Sequence, residues 1–401
     1  MFTVSNQATQ MKVLLFISII MVSFFPIVTV IILLFISLLI SNKYSLHVSI
    51  FCAIFLIFSL HLAFDDNGHP VGDISRYYDY YEIGKNMDFI HSYQRFKLYQ
   101  AGFFSLIRDY ALNLNLYGAV SVSLLVTNVF LSSIGIIRKV YDVDFNQRFK
   151  FVLAFSILST VPFSVFYSFE NALAVSMLYA AICFIVYDRR YIAYFFIFIS
   201  IIIHNASIPI AGLILFTTLF SNGKYDKLFI MMPGVVFLIL AFGPSFTFGV
   251  PILDRAIVSL KAYTNSGFDI ISITFGTFVL LVNVLVYLKF KAIRGGVDGN
   301  RIYLRVLFFL LCFSFPMLFN STFTYRFIWF PAMFFIPATC VILLKSKINF
   351  LSVTIIILKL IILLSLPNLL SLSAQKYVTY SDGDFLILSF FDLIGLLTNG
   401  R

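Results

Sequence analysis

The sequence predicts an all-α polytopic integral membrane protein, and composition, charge-free runs and the distribution of basic residues indicate this class. Of 401 residues, 61% are hydrophobic and only 11% are charged, and the mean hydropathy is +0.98. Soluble domains are typically about 45–50% apolar and about 25% charged. A soluble globular protein is therefore excluded. Because no second composition class occurs along the chain, we expect a single transmembrane domain over 1–401.

About 12 transmembrane or re-entrant segments are predicted from the stretches that lack Asp, Glu, Lys and Arg. A helix needs roughly 20 apolar residues to cross a hydrocarbon core of about 30 Å. The stretch 13–40 is longer than the apolar region of a signal peptide, so we expect a retained first helix. The predicted segments are 13–40, 46–64, 116–137, 151–169, 171–187, 191–203, 206–220, 228–248, 270–290, 302–320, 326–344 and 348–366.

The pair of segments within 191–220 is too short for two full spans. Basic residues flank both ends of this stretch, beginning at Arg190 on one side and Lys224 on the other. A single straight helix would put positive clusters on both sides of the membrane, against the positive-inside rule. We therefore expect a re-entrant helical hairpin over 191–220, with His204 at its apex.

The basic residues also predict the topology. Fifteen of the 28 Lys and Arg residues fall in one alternating set of short loops, which the positive-inside rule makes cytoplasmic. Both termini and the long loop 65–115 are then extracytoplasmic. The net charge of +10 is spread over these loops and forms no basic stripe, so we expect no nucleic-acid partner.

The loop 65–115 is the most polar part of the chain, and we expect short amphipathic helices in it. Acidic and basic residues alternate there with a run of tyrosines. One interpretation is a belt of aromatic anchors at the membrane interface. The other is a sugar-binding surface, in which rings cover the apolar face of a pyranose and charged groups bind its hydroxyls. The candidates are Asp73, Arg76, Tyr77, Tyr78 and Tyr81.

Three polar residues inside apolar segments are further candidates, because such groups usually line a cavity. Histidine is the residue type best suited to accept a proton near neutral pH, so His204 is a candidate general base; the alternative is a neutral imidazole that caps a broken helix. Arg326 can grip phosphate oxygens in a bidentate manner, or it snorkels to the interface. For Lys359 we expect an ion pair, with Glu170 as the acidic partner.

No cofactor or metal site is predicted. The four cysteines lack the spacing of a disulfide framework or a metal site, so we expect buried, unpaired thiols. The chain contains no Walker-type phosphate loop, no zinc-protease motif and no G-x-S-x-G motif. Chemistry driven by cytoplasmic ATP is therefore not expected.

Several local patterns, in order, resemble the Wzy-type polymerases of bacterial surface polysaccharides, especially their EpsG-like branch. Such proteins often have an Arg before the helix rich in small residues, where this chain has Glu170 and Asn171. The patterns are the polar stretch with Gly72, Asp73, Arg76, Tyr77 and Tyr78, the N-A-L-A-V-S-M helix start at Asn171, I-I-I-H-N-A-S around His204, and T-Y-R-F around Arg326.

This resemblance implies a membrane glycosyltransferase of GT-C-like architecture in the bacterial plasma (inner) membrane. It would join oligosaccharide repeat units, carried on undecaprenyl diphosphate, at the outer leaflet in O-antigen, capsule or exopolysaccharide synthesis. Arg326 and Arg76 would bind the diphosphate, His204 or Asp73 would activate the acceptor hydroxyl, and no metal would be needed. The implied partners are the lipid-linked oligosaccharide, the bilayer, and the flippase and chain-length regulator of the same pathway.

Two other classes stay open. A flippase for lipid-linked oligosaccharides, or another secondary transporter, would also use many segments and a broken helix. The long outer loop and the lack of two similar halves argue against it. A membrane acyltransferase could use a single intramembrane His, but its donor would need a cytoplasmic site, whereas the polar groups of this chain are concentrated outside.

The topology is directly testable. A cysteine label or enzyme fusion placed within 85–95 should report the outside, and one placed within 294–300 should report the cytoplasm, because the short loops that hold 15 basic residues alternate with the others. Agreement at only one of the two positions would contradict the alternating scheme.

Overall fold

In the computed structural model, the regular elements of the described residues are all helical. The structure describes residues 16, 20–40, 43–62, 73–84, 86–87, 89, 91, 97–141, 143, 146–160, 168–220, 231, 270–293, 298–319, 321–345, 349–374 and 389–398. The α-helices of six residues or more are α1 (Pro26–Leu39), α2 (Lys43–Leu62), α3 (Asp73–Gly84), α4 (Leu98–Asp109), α5 (Asn115–Val140), α6 (Gln147–Leu158), α7 (Phe169–Val186), α8 (Arg190–Ile203), α9 (Ile208–Leu219), α10 (Ile270–Ala292), α11 (Asp298–Ser314), α12 (Ile336–Lys345), α13 (Phe350–Ala374) and α14 (Phe390–Gly395).

Six helical stretches of the described residues are long and apolar enough to cross a membrane. Four shorter apolar helices accompany them, among them the two on either side of His204. This confirms the predicted helical, polytopic membrane protein. The count of 12 segments stays a prediction, and the predicted segment 228–248 lies outside the described residues. The six stretches are Tyr44–Leu62, Asn115–Val140, Phe169–Val186, Ile273–Ala292, Arg301–Leu318 and Arg326–Lys345.

Two predicted segments are less regular than a straight α-helix. In 151–169, helix α6 ends at Leu158 and a turn follows at Ser159 and Thr160. In 326–344, a π-helical turn and a 3-10 stretch precede α12. Apolar composition predicts that a segment crosses the membrane, but it does not predict where the helical hydrogen bonding changes.

The chain divides into two compact units. Unit 1 comprises 1–127, 145–150 and 373–401, and unit 2 comprises 128–144 and 151–372. The range 65–115, which belongs to unit 1, contains helices α3 and α4.

Unit 2 is organised around helix α7, which is almost entirely buried. Its residues Ala172, Ala174, Ala180 and Ala181 are small, which lets neighbouring helices approach closely. Ser200 of α8 donates a hydrogen bond of 2.7 Å to the carbonyl of Ala174. Small side chains therefore make α7 the core helix, against which α8, α9 and α11 pack.

Aromatic packing joins three helices of unit 1. The ring of Tyr117 in α5 lies 5.6 Å from that of Tyr77 in α3. It lies 5.2 Å from the ring of Phe103 and 5.8 Å from that of Phe104, both in α4. This cluster holds the polar helices α3 and α4 against the apolar helix α5.

Within unit 1, a buried lysine joins the first turn of α6 to helices α1 and α2. Lys150 in α6 is 2% exposed, and its Nζ donates to the carbonyls of Ser37 and Ile40 at 2.7 and 2.5 Å and to the Ser45 hydroxyl at 2.5 Å. The three oxygens take the three donors of the ammonium group. Lys150 is therefore fully hydrogen-bonded at the point where α1 ends and α2 begins.

The four cysteines are free, as the sequence predicts. Cys52 and Cys340 are buried, whereas Cys183 and Cys312 are only half-buried.

The backbone of α10 lies so close to the side chain of Thr324 that position 276 has room only for glycine. A Cβ atom at this position would lie 2.0 Å from the Cγ2 atom of Thr324 and 3.5 Å from Nε1 of Trp329. Thr324 is fully buried and β-branched, so its methyl group cannot rotate away freely. Gly212 in α9 offers a matched comparison, because a Cβ atom there would meet no other atom within 4 Å.

We expect Gly276→Ala to lower the free energy of unfolding by about 1–3 kcal/mol, the usual effect of overpacking. Gly212→Ala should change it by no more than about 1 kcal/mol, in the stabilising direction, because Ala is the better helix former. Thermal unfolding of both purified variants in detergent measures the difference. Equal melting temperatures for the two variants would contradict the close approach of α10 to Thr324.

Candidate functional site

Arg326 lies in a stretch of irregular helical backbone in unit 2. Residues Tyr325–Trp329 form a π-helical turn, and Phe330–Phe335 form a 3-10 stretch. Pro331 causes part of this irregularity, because it has no N–H to donate to the carbonyl of Phe327. That carbonyl instead accepts a hydrogen bond of 2.8 Å from the hydroxyl of Ser314. Such π-turns are rare and occur frequently at functional sites.

The guanidinium of Arg326 is held by the side chain of Asn171. Its Nη1 donates to Oδ1 of Asn171 at 2.9 Å, and the amide nitrogen of Asn171 donates to the Ser168 hydroxyl at 2.8 Å. Both ends of the Asn171 amide are therefore oriented, and Asn171 is 5% exposed. Because Asn171 is neutral, this contact orients the guanidinium without cancelling its charge.

The structure thus joins two of the sequence patterns. Asn171 stands in the helix start where the resemblance led us to expect an Arg, and it contacts the Arg of the T-Y-R-F pattern 155 residues later. We did not predict Asn171 as a site residue. The available signal in the sequence was a neutral amide next to a carboxylate at the start of an apolar segment.

The predicted ion pair between Lys359 and Glu170 is wrong. Lys359 in α13 is 1% exposed, and its Nζ donates to the hydroxyl of Thr160 at 2.6 Å. Among the described residues, no acidic side chain pairs with it. Glu170 lies fully buried in the first turn of α7, where the helix dipole favours a carboxylate. Topology places both residues at membrane depth, but it does not specify which helices touch.

His204 lies at a break in the helical backbone between α8 and α9. Pro209 occupies the first turn of α9 and cannot continue a helix from the preceding turn. The backbone N–H of Ala206 donates to Nδ1 of His204 at 3.1 Å, and His204 is 6% exposed. A neutral imidazole that accepts at Nδ1 carries its proton on Nε2. This hydrogen bond is the one that the capping interpretation predicts.

The position of the helix break follows the prediction, but two other statements stay predictions. One is that 191–220 re-enters the membrane as a hairpin. The other is that His204 acts as a base, which would require a proton-free Nε2 and hence a change of tautomer.

The candidates from the outer loop lie in unit 1 and differ in accessibility. Tyr77 is 6% exposed, so its ring has little surface left for a sugar. Tyr81 is half-buried with its ring 5.6 Å from that of Phe104, and the hydroxyl of Tyr78 donates to Oδ1 of Asn115. Arg76 is exposed, and Asp73 begins helix α3. Their roles in sugar or phosphate binding stay predictions.

The polar residues around Lys359 were also not predicted. They are Ser159 and Thr160, which end an apolar segment that also contains Ser156 one helical turn earlier. This i, i+3, i+4 pattern places them on one face, and it could have indicated a polar surface inside the membrane. Among the described residues, no three His, Cys, Asp or Glu side chains cluster as metal ligands would.

The capping role of His204 can be measured as stability. His204→Ala should lower the free energy of unfolding by about 0.5–2 kcal/mol, because the Ala206 N–H then loses its partner. His204→Asn should lower the free energy of unfolding much less, since the Asn side-chain oxygen can accept the hydrogen bond from the Ala206 N–H in place of Nδ1. Thermal unfolding in detergent compares the variants, and equal losses for both would contradict the cap.

Comparison of the chain with protein-family models, with curated proteins and with solved structures finds no match. Function is therefore inferred from the contacts of the described side chains and from the motif resemblance alone.

Proposed function

We propose that this protein is a Wzy-type polysaccharide polymerase of the EpsG-like branch. It joins oligosaccharide repeat units carried on undecaprenyl diphosphate at the outer leaflet of the bacterial plasma membrane. One contact carries the proposal. Arg326, which lies in a π-helical turn, donates a hydrogen bond to Asn171 in the first turn of α7. The four ordered motifs of the resemblance support it.

The chemistry of such a transfer suits an oriented guanidinium. The growing chain leaves one lipid diphosphate and is attacked by a sugar hydroxyl of the next unit, so negative charge develops on the departing phosphate. A fixed positive group aimed at this charge stabilises the transition state. Arg326 can supply it through bidentate hydrogen bonds, since its anchor Asn171 leaves the charge of the side chain in place. Arg76, which is exposed, is the second candidate for the diphosphate.

The acceptor hydroxyl needs a base, and His204 and Asp73 are the two candidates. Because Nδ1 of His204 accepts from the backbone, His204 can act as base only through Nε2 after a change of tautomer. The variant His204→Asn separates its two roles, since it retains a capping oxygen but removes the imidazole. As sugar-binding residues, the half-buried Tyr78 and Tyr81 are better candidates than Tyr77, because the ring of Tyr77 is buried.

The proposed arrangement in the membrane is a single transmembrane domain with about 12 segments and a GT-C-like architecture. Both termini and the loop 65–115 are outside, and the loops rich in Lys and Arg face the cytoplasm. The lipid-linked substrate would arrive from the flippase of the same pathway, and a chain-length regulator would act on the product.

A flippase for lipid-linked oligosaccharides is the second candidate. Two interrupted helical stretches favour it, at His204 and at Tyr325–Phe335, because transporters often build their substrate sites from broken helices. The two functions predict different products. A strain without the flippase would lose all surface units, whereas a strain without the polymerase would still display single units.

Glycan profiling of a deletion strain complemented with variants tests the proposal. Deletion should leave single capped repeat units. Complementation with Arg326→Lys should reduce polymerisation about 10²–10³-fold at normal protein level, because Lys keeps the charge but loses the planar pair of donors. Arg190→Lys is the matched control, since Arg190 is largely exposed at the start of α8, and it should restore full-length polymer.

Two outcomes would contradict the proposal. Loss of all surface units in the deletion strain would indicate transport instead. Wild-type polymer from Arg326→Ala would exclude Arg326 from the site.

A further inference from the structure

A small cavity in unit 2 surrounds the end of the Lys359 side chain. It has a volume of about 10 Å³, close to the least space that holds one water-sized particle. Polar atoms come from Lys359, Thr160 and Ser159, and the indole of Trp329 forms part of the wall. The remaining lining residues are apolar, and they are Phe275, Val279, Ala332 and Ile362.

The polar groups of this cavity have unused hydrogen-bonding capacity. Lys359 has three N–H donors and is 1% exposed, yet its contact within the described residues is one hydrogen bond of 2.6 Å to Thr160. The Ser159 hydroxyl is buried and makes no hydrogen bond. Buried polar groups without partners are rare in folded proteins, and each calls for an explanation. An occupant of the cavity would satisfy both residues.

The charge of Lys359 indicates the type of occupant. A buried ammonium in a medium of low dielectric constant is strongly destabilising unless a negative charge accompanies it. Within the part of the chain that the structure describes, the residues that line the cavity include no carboxylate. The ammonium and the indole N–H can only donate hydrogen bonds, and each hydroxyl can donate one as well as accept. The lining therefore suits an anion, whereas the ammonium group of Lys359 repels a cation.

The position of the cavity separates it from ions in bulk water. Lys359 follows Phe350, the first residue of α13, by nine positions and precedes Ala374, the last, by fifteen, which are about 14 and 22 Å along the helix axis. Val279 precedes the last residue of α10 by thirteen positions, or about 20 Å. An ion in solution at these helix ends is too far away to compensate the ammonium, so we expect the compensating ion within the cavity itself.

We propose that the cavity binds one small monovalent anion of the size of chloride, held by Nζ of Lys359 and the hydroxyls of Ser159 and Thr160. A polyatomic anion such as phosphate is too large for a cavity of about 10 Å³. A chloride ion is slightly larger than a water molecule, and the flexible Lys359 side chain can move to admit it. The site is independent of the proposed polymerase function and of Arg326.

Thermal unfolding of the full-length protein in detergent tests the site. Measurements in potassium chloride, bromide, phosphate and gluconate are compared at equal ionic strength. Because a ligand that binds only the folded state raises its stability with concentration, the melting temperature should rise saturably with chloride or bromide. Gluconate and phosphate should leave it unchanged.

Variants distinguish the cavity from general effects of salt. Lys359→Met should abolish the dependence on chloride, whereas Lys345→Met, at the exposed end of α12, should retain it. Ser159→Ala removes one donor and should raise the apparent Kd for chloride about fivefold, as expected for one neutral hydrogen bond.

Three results would overturn the proposal. They are equal melting temperatures of the wild type in chloride and gluconate, a chloride effect that persists in Lys359→Met, and stabilisation by phosphate in place of chloride. If Lys359→Met does not fold, Ser159→Ala decides, and an unchanged apparent Kd in that variant would also overturn the site. None of these outcomes changes the glycan profile that tests the polymerase.

Discussion

Backbone N–H and C=O groups inside a bilayer need partners from the protein itself, and this constraint governs where the chain can depart from a regular helix. Two prolines force such departures in unit 2. Just before Pro209, the His204 side chain accepts a hydrogen bond from the Ala206 N–H, and the Ser207 hydroxyl donates one to the carbonyl of His204. At Pro331, the Ser314 hydroxyl takes the carbonyl that the proline leaves without a donor. His204 lies at the first break, and Arg326 lies five residues before Pro331 at the second.

The two buried lysines illustrate how polar partners determine what a charge can do. Lys150 donates to three oxygens, so its ammonium is fully hydrogen-bonded and acts as a link between helices. Lys359 donates to one hydroxyl and borders a cavity. The same residue type is therefore structural in unit 1 and a binding candidate in unit 2. Burial alone does not separate the two cases, since both are at most 2% exposed.

The contact that orients Arg326 comes from the neutral amide of Asn171. A carboxylate in the place of Asn171 would form an ion pair and reduce the attraction for a phosphate. The neutral amide keeps the guanidinium in position and preserves that attraction. The proposed polymerase needs such a group, because its leaving group is an anion whose charge grows during the reaction.

The sequence by itself determined the helical membrane class and the break at His204, because hydropathy, charge and proline are local properties of the chain. Only the tertiary structure decided which side chains meet. Arg326 and Asn171 are 155 residues apart, and Lys359 and Thr160 are 199 residues apart. Apolar helices can pack in many orders with the same hydropathy, so the sequence pattern could not distinguish Thr160 from Glu170 as the partner of Lys359.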